Sequence, residues 1–191
     1  MSFRMTSLTS LNLKEVHIVK GVSGYIDGSP YSSNSDYCIP EYAFQGKSSL
    51  ISIMLPDNLK AIGYRAFSDC KSLSGNISFP EGLETIAAGA FMNCTNLSSI
   101  SFPSTLVTLG QENGTLYSDG AFANCTGLCC EIVIPEKMES IGPNTFRGDD
   151  GLYGRIYLPE SLRFLGEAAF RGCNGLSGSL KIPHKICQIP D

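Results

Sequence analysis

Eight cysteines are the residues of this chain with the clearest chemical potential, because thiolates bind metals and act as nucleophiles, and thiols form disulfides. Four of them share one position of a repeating pattern, so that side chains on stacked repeats stand in a column about 4.8 Å apart. A disulfide needs Cβ atoms about 3.8 Å apart, and zinc needs four ligands in a tetrahedron. The spacing therefore predicts buried, reduced thiols that pack as small apolar groups. These cysteines are Cys70, Cys94, Cys125 and Cys173.

The adjacent cysteines Cys129 and Cys130 lie outside that column, at a bend of their repeat. Two interpretations remain open for them. One thiol of the pair is exposed and oxidisable, or both simply fill the bend.

The other residues give little indication of a catalytic site. His17 and His184 lie at opposite ends of the chain, whereas a Ser–His or Cys–His pair needs both groups in one pocket. The sequence contains no glycine-rich phosphate-binding motif and no His-Glu-x-x-His motif. We therefore predict a protein that is not an enzyme and has no cofactor and no metal. An enzyme with an unrecognised site is the alternative.

Composition narrows the class of partner. The chain has 191 residues, 42% of them hydrophobic, which suffices for one domain with a full core. Its net charge is −4 and it has no basic stripe, so nucleic acid is not an expected partner. No apolar run approaches the roughly 20 residues that span a bilayer, and residues 1–13 lack the apolar core of a signal peptide.

The dipeptide Ala-Phe marks an internal repeat. Its phenylalanines follow one another at steps of 23, 24, 31, 24 and 24 residues, and one proline per repeat follows at steps of 24, 23, 32, 24 and 24. A single insertion of about eight residues therefore lies in the third repeat. The phenylalanines are Phe44, Phe67, Phe91, Phe122, Phe146 and Phe170, and the prolines are Pro56, Pro80, Pro103, Pro135, Pro159 and Pro183.

Each repeat predicts two short strands and one turn. Residues 77–79 alternate in polarity and end at Pro80, which cannot donate to a strand ladder. Residues 83–86 form the second strand. The Ala-Phe-x-x-Cys segment has no two-residue period and predicts a helical or 3-10 turn. Since one coil cannot bury its own apolar face, the coils must stack. The expected contacts are Phe67 on Phe91, Ile77 on Ile100 and Leu83 on Leu106.

This pattern resembles the BspA-like class of leucine-rich repeats found on bacterial surfaces. The consensus of that class is roughly Leu-x-x-Ile-x-Ile-Pro-x-x-Val-x-x-Ile-Gly-x-x-Ala-Phe-x-x-Cys, and residues 97–103, 62–63 and 66–70 match it closely. The resemblance covers about residues 39–189. The chain departs from the consensus at Lys47 and Asp149 in place of cysteine, Thr145 in place of alanine, and Pro40 and Pro190 in place of glycine.

The expected fold is an α/β leucine-rich-repeat architecture, a right-handed solenoid with short parallel strands and helical or 3-10 turns. Residues 1–38 are predicted to form an irregular partial repeat with strands at 8–13 and 16–19 and a long loop at 20–37. Residues 39–191 form the solenoid of the same single domain. Its final coil has a strand at 186–189 but no Ala-Phe turn, so we expect a longer protein or an excised domain.

Outward positions of the first strands are the leading candidates for a binding surface. Alternation sends two side chains of each strand outward, and in the earlier coils these are mainly small and polar. In the later coils they include Glu131, Arg155, Tyr157 and Lys181. Arginine and tyrosine are enriched at binding hot spots, so we predict a ligand site here, with Glu131 and Arg155 as an exposed pair. Solvated strand positions without a partner are the alternative.

Two insertions, residues 20–37 and 111–120, are the second candidate. Both precede an Ala-Phe turn and are expected to project from the same edge of the solenoid. Tyrosine among small polar residues is typical of adaptable binding loops, and plain surface loops are the alternative. The candidate residues are Tyr31, Tyr37, Glu112 and Tyr117.

The resemblance implies a non-catalytic binding module of a cell-surface or secreted protein. Its expected partner is a host or matrix protein, or a glycan, bound by recognition or adhesion. This step is analogy, because a fold does not fix a function. A structural spacer that carries other domains is the alternative.

Overall fold

The computed structural model describes residues 7–15, 24–26, 29–31, 37–110 and 119–186. Within these ranges the chain forms fourteen short strands and no helix. The strands are β1 Ser10–Asn12, β2 Gly24–Ile26, β3 Ser29–Tyr31, β4 Cys38–Ile39, β5 Ser52–Met54, β6 Ala61–Ile62, β7 Gly75–Ser78, β8 Thr85–Ile86, β9 Leu97–Ser101, β10 Thr108–Leu109, β11 Ser140–Ile141, β12 Tyr153–Gly154, β13 Phe164–Leu165 and β14 Gly175–Leu176.

The second strands of the coils form one parallel sheet, which we call the main sheet. Its order is β13-β11-β10-β8-β6-β4, so every coil adds one strand. The second residue of each strand is an isoleucine or leucine that points into the core. These residues pair in strict register across the sheet, as Leu109 does with Ile86 on one side and Ile141 on the other. The second strands expected from the sequence are thereby confirmed.

The first strands pair only locally. Three separate parallel sheets join β1 to β5, β7 to β9, and β12 to β14. In the later coils, residues 131–134 and 155–158 run extended, but their main-chain groups make no hydrogen bond to other main-chain groups of the described residues. The expected first strands are therefore confirmed as ladders in the earlier coils, whereas in the later coils only the short β12–β14 pair forms a ladder.

The Ala-Phe turns are not helical, which corrects the expected α/β class. The amide of Phe67 donates to the carbonyl oxygen of Ala90 in the next coil at 2.8 Å, whereas that of Ser68 donates to Arg65 in its own coil at 3.1 Å. Arg65 and Asp69 have φ values of 50° and 61°, in the left-handed region. A helix needs consecutive right-handed residues. The turns are therefore chains of tight turns in which alternate amides join neighbouring coils.

A column of six phenylalanine rings, the phenylalanine column, forms the centre of the core. Successive ring centroids lie 5.2, 5.2, 5.2, 5.8 and 5.5 Å apart, with planes within 13° of parallel. The expected contact of Phe67 on Phe91 is present, and Ile77 pairs with Ile100 in register. The column consists of Phe44, Phe67, Phe91, Phe122, Phe146 and Phe170.

The N-terminal region joins the stack as one more coil. Strand β1 pairs with β5, which confirms the first strand expected at residues 8–13. The region expected as a loop at 20–37 contains an antiparallel pair, β2 with β3, which the sequence did not indicate. Strand β4 begins the main sheet at Cys38. The strand expected at 16–19 and residues 187–189 of the one expected at 186–189 lie outside the described residues.

Candidate functional site

We call the position three residues after each column phenylalanine the thiol slot, and it is buried in every coil except that of Phe44. In four coils a cysteine fills it, and its Sγ donates to the carbonyl oxygen of a phenylalanine in the preceding coil. The contacts are Cys70 to Phe44 at 3.2 Å, Cys94 to Phe67 at 3.2 Å, Cys125 to Phe91 at 3.1 Å and Cys173 to Phe146 at 3.0 Å. The prediction of buried, unbridged thiols is confirmed, and each thiol also acts as a donor.

Three of these thiols, those of Cys70, Cys125 and Cys173, are poorly suited to nucleophilic or metal chemistry. Burial raises the pKa of Cys70 and of Cys173 to about 12, and it raises that of Cys125 as well. A protonated thiol is a weak nucleophile and a poor ligand. No group of three or more histidine, cysteine or acidic side chains suited to a metal occurs among the described residues.

Cys129 and Cys130 differ from the thiol slot. Cys129 is exposed and Cys130 is half-buried, so the interpretation in which one thiol of the pair reaches solvent is confirmed. Burial raises the pKa of Cys130. Oxidation of Cys129 stays a prediction.

The predicted outward residues of the later coils do lie on one exposed surface. Val133 and Tyr157 occupy one position in successive coils and are 78% and 72% exposed, the highest values among the exposed large hydrophobic side chains. Ile132, Ile134 and Ile156 alternate with them and are buried. We call this surface the recognition face. It comprises Glu131, Val133, Arg155, Tyr157 and Lys181, all exposed.

Two glycines shape the charged part of the recognition face. A Cβ on Gly154 would lie 2.9 Å from Oε1 of Glu131, and a Cβ on Gly178 would lie 2.9 Å from Nε of Arg155. Each charged side chain therefore lies against the glycine of the next coil. The expected Glu131–Arg155 ion pair is wrong, because it is not among the ion pairs of the described residues.

Lys181 is engaged elsewhere. Its Nζ lies 2.8 Å from Oε1 of Glu160, and this hydrogen bond lowers the pKa of Glu160. An exposed pair of this kind is weak, so Lys181 can exchange it for a partner. Arg155, by contrast, has no ion pair within the described part of the chain.

The predicted site omitted two exposed residues that border it. Val133 was recognisable, since the alternation that places Glu131 outward also places Val133 outward. Tyr153, in β12, is 47% exposed. It lies before the alternating segment, so the strand pattern gave no signal for it.

Most of both insertions lies outside the described residues, so their expected projection from a common edge stays a prediction. Residues 20–37 lead into β4, and the carbonyl of exposed Tyr37 accepts a hydrogen bond from Lys60 at 2.8 Å. Residues 111–118 follow β10 and Gly110. For Tyr31 the structure gives only its pairing in β3, and Glu112 and Tyr117 lie outside the described residues.

A polar cluster fastens the end of the second insertion to earlier coils. The Tyr64 hydroxyl donates to Oδ2 of Asp119, and Arg65 binds the same oxygen at 2.7 Å. The Arg65 side chain lies over Gly89, and a Cβ on that glycine would be 2.8 Å from Cγ of Arg65. Cζ of Arg65 lies 5.4 Å from the centroid of the Tyr64 ring. Burial and the hydrogen bond to Asp119 raise the pKa of Tyr64. The sequence did not indicate this contact, which spans two coils.

A shallow, mainly apolar depression lies at the last coil. Its walls carry no titratable side chain. The lining residues include Ile156, Phe170, Leu176 and Leu180.

Stacked parallel coils with one phenylalanine and one thiol slot each define a leucine-rich-repeat solenoid. The pattern described as the BspA type leucine rich repeat region matches residues 38–177 in six copies, and the chain belongs to this family.

One solved structure supports the fold, and two others share weaker similarity with the chain. The Treponema pallidum leucine-rich-repeat protein TpLRR is 28% identical with a TM-score of 0.68, covering 93% of this chain and 72% of that chain. A leucine-rich-repeat protein from Bacteroides ovatus is 22% identical with a TM-score of 0.36, covering 72% and 58%. A leucine-rich cell surface protein from Faecalibacterium prausnitzii is 21% identical with a TM-score of 0.44, covering 91% and 61%.

No curated protein matches the chain. Among the described residues, no helix has the length and apolarity needed to cross a membrane.

Proposed function

We propose that this protein is a non-catalytic binding module that captures a protein ligand through the recognition face. The observation that carries the proposal is the exposure of Val133 and Tyr157 at one position of successive coils. Large apolar side chains that remain in water on neighbouring coils favour a surface that a partner covers. A cell-surface or extracellular location is part of the proposal, because it is the setting that the resemblance to BspA-like repeats implies.

The chemistry around these two residues favours a protein over other ligands. Tyr157 offers a rigid ring with a polar tip, and Arg155 offers a planar group with five donors. Glu131 adds an acceptor beside them. Tyrosine and arginine are enriched at protein-binding hot spots.

The earlier coils lack aromatic and charged side chains at the same positions. Ser10 and Ser52 bond to each other, as do Asn76 and Ser99, and so present a polar ladder to solvent. Polar groups that are already paired and hydrated add little to affinity.

The test is a binding screen of the purified chain against extracellular-matrix proteins and glycans. We expect a protein ligand, and Arg155→Ala combined with Tyr157→Ala should weaken its binding more than tenfold without a large fall in Tm. Met54→Ala is the matched control, since Met54 occupies the equivalent position of an earlier coil and is 50% exposed.

Normal binding by the double variant would overturn the assignment of the recognition face. If a variant shortened within residues 111–118 then lost binding, the second insertion would be the site. A chain that binds nothing in the screen contradicts the binding function and favours a spacer. Cell fractionation tests the location separately.

A further inference from the structure

Asp149 occupies the thiol slot of the Phe146 coil, where four other coils have cysteine. Its side chain is fully buried. Neither carboxyl oxygen has a hydrogen-bond partner within the described part of the chain. A buried polar group without a partner is costly, and an unpaired buried charge is more so. The slot therefore holds an ionisable group in surroundings built for a neutral one.

The coils on either side show what the slot requires. Cys125 and Cys173 both donate from Sγ to a phenylalanine carbonyl oxygen, at 3.1 and 3.0 Å. The corresponding acceptor for Asp149 is the carbonyl oxygen of Phe122. A carboxylate has no proton to donate, whereas a carboxylic acid has one. Only the protonated form of Asp149 can therefore act as the thiols do.

The titratable groups around Asp149 do not supply a positive charge. Those that interact with it are the thiols of Cys125, Cys130 and Cys173 and the carboxylate of Asp150. The thiols are neutral near pH 7, because burial raises the pKa of each. Asp150 adds a like charge, which opposes ionisation of its neighbour.

We propose that Asp149 makes the stacking of the Phe122 and Phe146 coils dependent on pH. Protonated, its carboxyl donates to the Phe122 carbonyl oxygen and closes the gap that the missing cysteine leaves. Ionised, it places an unpaired charge in the core and loosens the contact between these two coils. The looser contact admits solvent to the thiols of Cys125 and Cys173.

The pKa of Asp149 gives the direction of the effect on stability and the pH range in which it occurs. Burial raises the pKa of Asp149 from 3.8 to about 8, and the nearby main-chain N–H of Cys125, which makes no hydrogen bond to either carboxyl oxygen, opposes this rise only in part. The folded chain then holds this proton more tightly than the unfolded chain. Its stabilisation is complete below about pH 4 and is lost as the pH rises through about 8.

The experiment compares the wild type with Asp149→Cys and Asp149→Asn at about pH 5 and pH 8. Cysteine restores the residue of the other coils, and asparagine keeps the size without the charge. We expect the Tm of the wild type to fall by at least about 5 °C relative to Asp149→Cys between the two values. Labelling of Cys125 and Cys173 at pH 8 should be at least about tenfold faster in the wild type than in Asp149→Asn.

Parallel pH profiles of Tm in the wild type and Asp149→Cys would overturn the proposal. A pH titration of the Asp149 carboxyl by carbon-13 NMR uses only the wild type. It therefore tests the proposal even if a variant fails to fold. A titration midpoint near 8 supports the proposal, and a midpoint below about 5 overturns it.

Discussion

At the residue scale, the thiol slot shows why a small side chain with a donor recurs in the repeat. The cysteines lie in the core, where a polar side chain needs a partner. Each finds one in the carbonyl oxygen of a phenylalanine of the preceding coil, as Cys94 does with Phe67. The sequence predicted the burial from the spacing. It did not predict the donor role, because the acceptor belongs to the main chain and leaves no mark on side-chain identity.

The donor role leads to a prediction at Cys94. Cys94→Ala should lower the free energy of unfolding by about 1–2 kcal/mol, since it removes the donor and leaves a small cavity. Cys94→Ser keeps a donor at nearly the same place and should lower it by less. Urea denaturation of both variants measures the difference. If serine proves more damaging than alanine, the slot is selected for apolar volume alone.

At the element scale, the turns show where side-chain patterns mislead. The absence of a two-residue polarity period predicted helical turns, yet the hydrogen bonds alternate between the same coil and the next one. A signal for this was present two residues after each column phenylalanine, where only residue types that tolerate left-handed φ occur. These residues are Gly46, Asp69, Asn93, Asn124, Gly148 and Gly172, with φ values from 60° to 83°.

Glycines in the turns serve two different purposes, which substitution can separate. A Cβ on Gly120 would lie 1.6 Å from the main-chain oxygen of Asn144, whereas a Cβ on Gly46 meets nothing within 4 Å. Gly120→Ala should therefore push two coils apart and cost at least about 3 kcal/mol. Gly46→Ala should cost only about 1 kcal/mol from its left-handed backbone. Thermal unfolding of the two variants checks this, and equal losses would contradict it.

The recognition face was predictable only in part, because the position of a side chain also depends on residues of the neighbouring coil. Alternation places Tyr157 and Arg155 outward whatever the neighbouring coils contain. The position of the Arg155 side chain depends on Gly178 in the next coil, and that of Glu131 on Gly154. Pairing Glu131 with Arg155 assumed that both stand upright from their own strands. The glycines instead leave room for each side chain to lie along the stack.

At the scale of the whole molecule, stability is distributed over the interfaces between coils. Phe91 is fully buried between Phe67 and Phe122, whereas Phe170 is only half-buried and ends the column. Phe91→Ala should lower the free energy of unfolding by about 3–5 kcal/mol. Phe170→Ala should lower it by clearly less. Denaturant titrations with fluorescence or circular dichroism give both values, and equal effects would mean that the coils do not act as nearest neighbours.

The main sheet continues without a break on both sides of the second insertion. Strand β10 keeps its register with β8 and β11, and soon after the insertion the Asp119 carbonyl accepts a hydrogen bond from Gly89 at 3.1 Å. Strand pairing is therefore regular on both sides of residues 111–118. This place can serve protein engineers as a display position, where a foreign epitope or affinity tag is exchanged into a rigid scaffold. Intact stacking of the phenylalanine column would then indicate that the scaffold still folds.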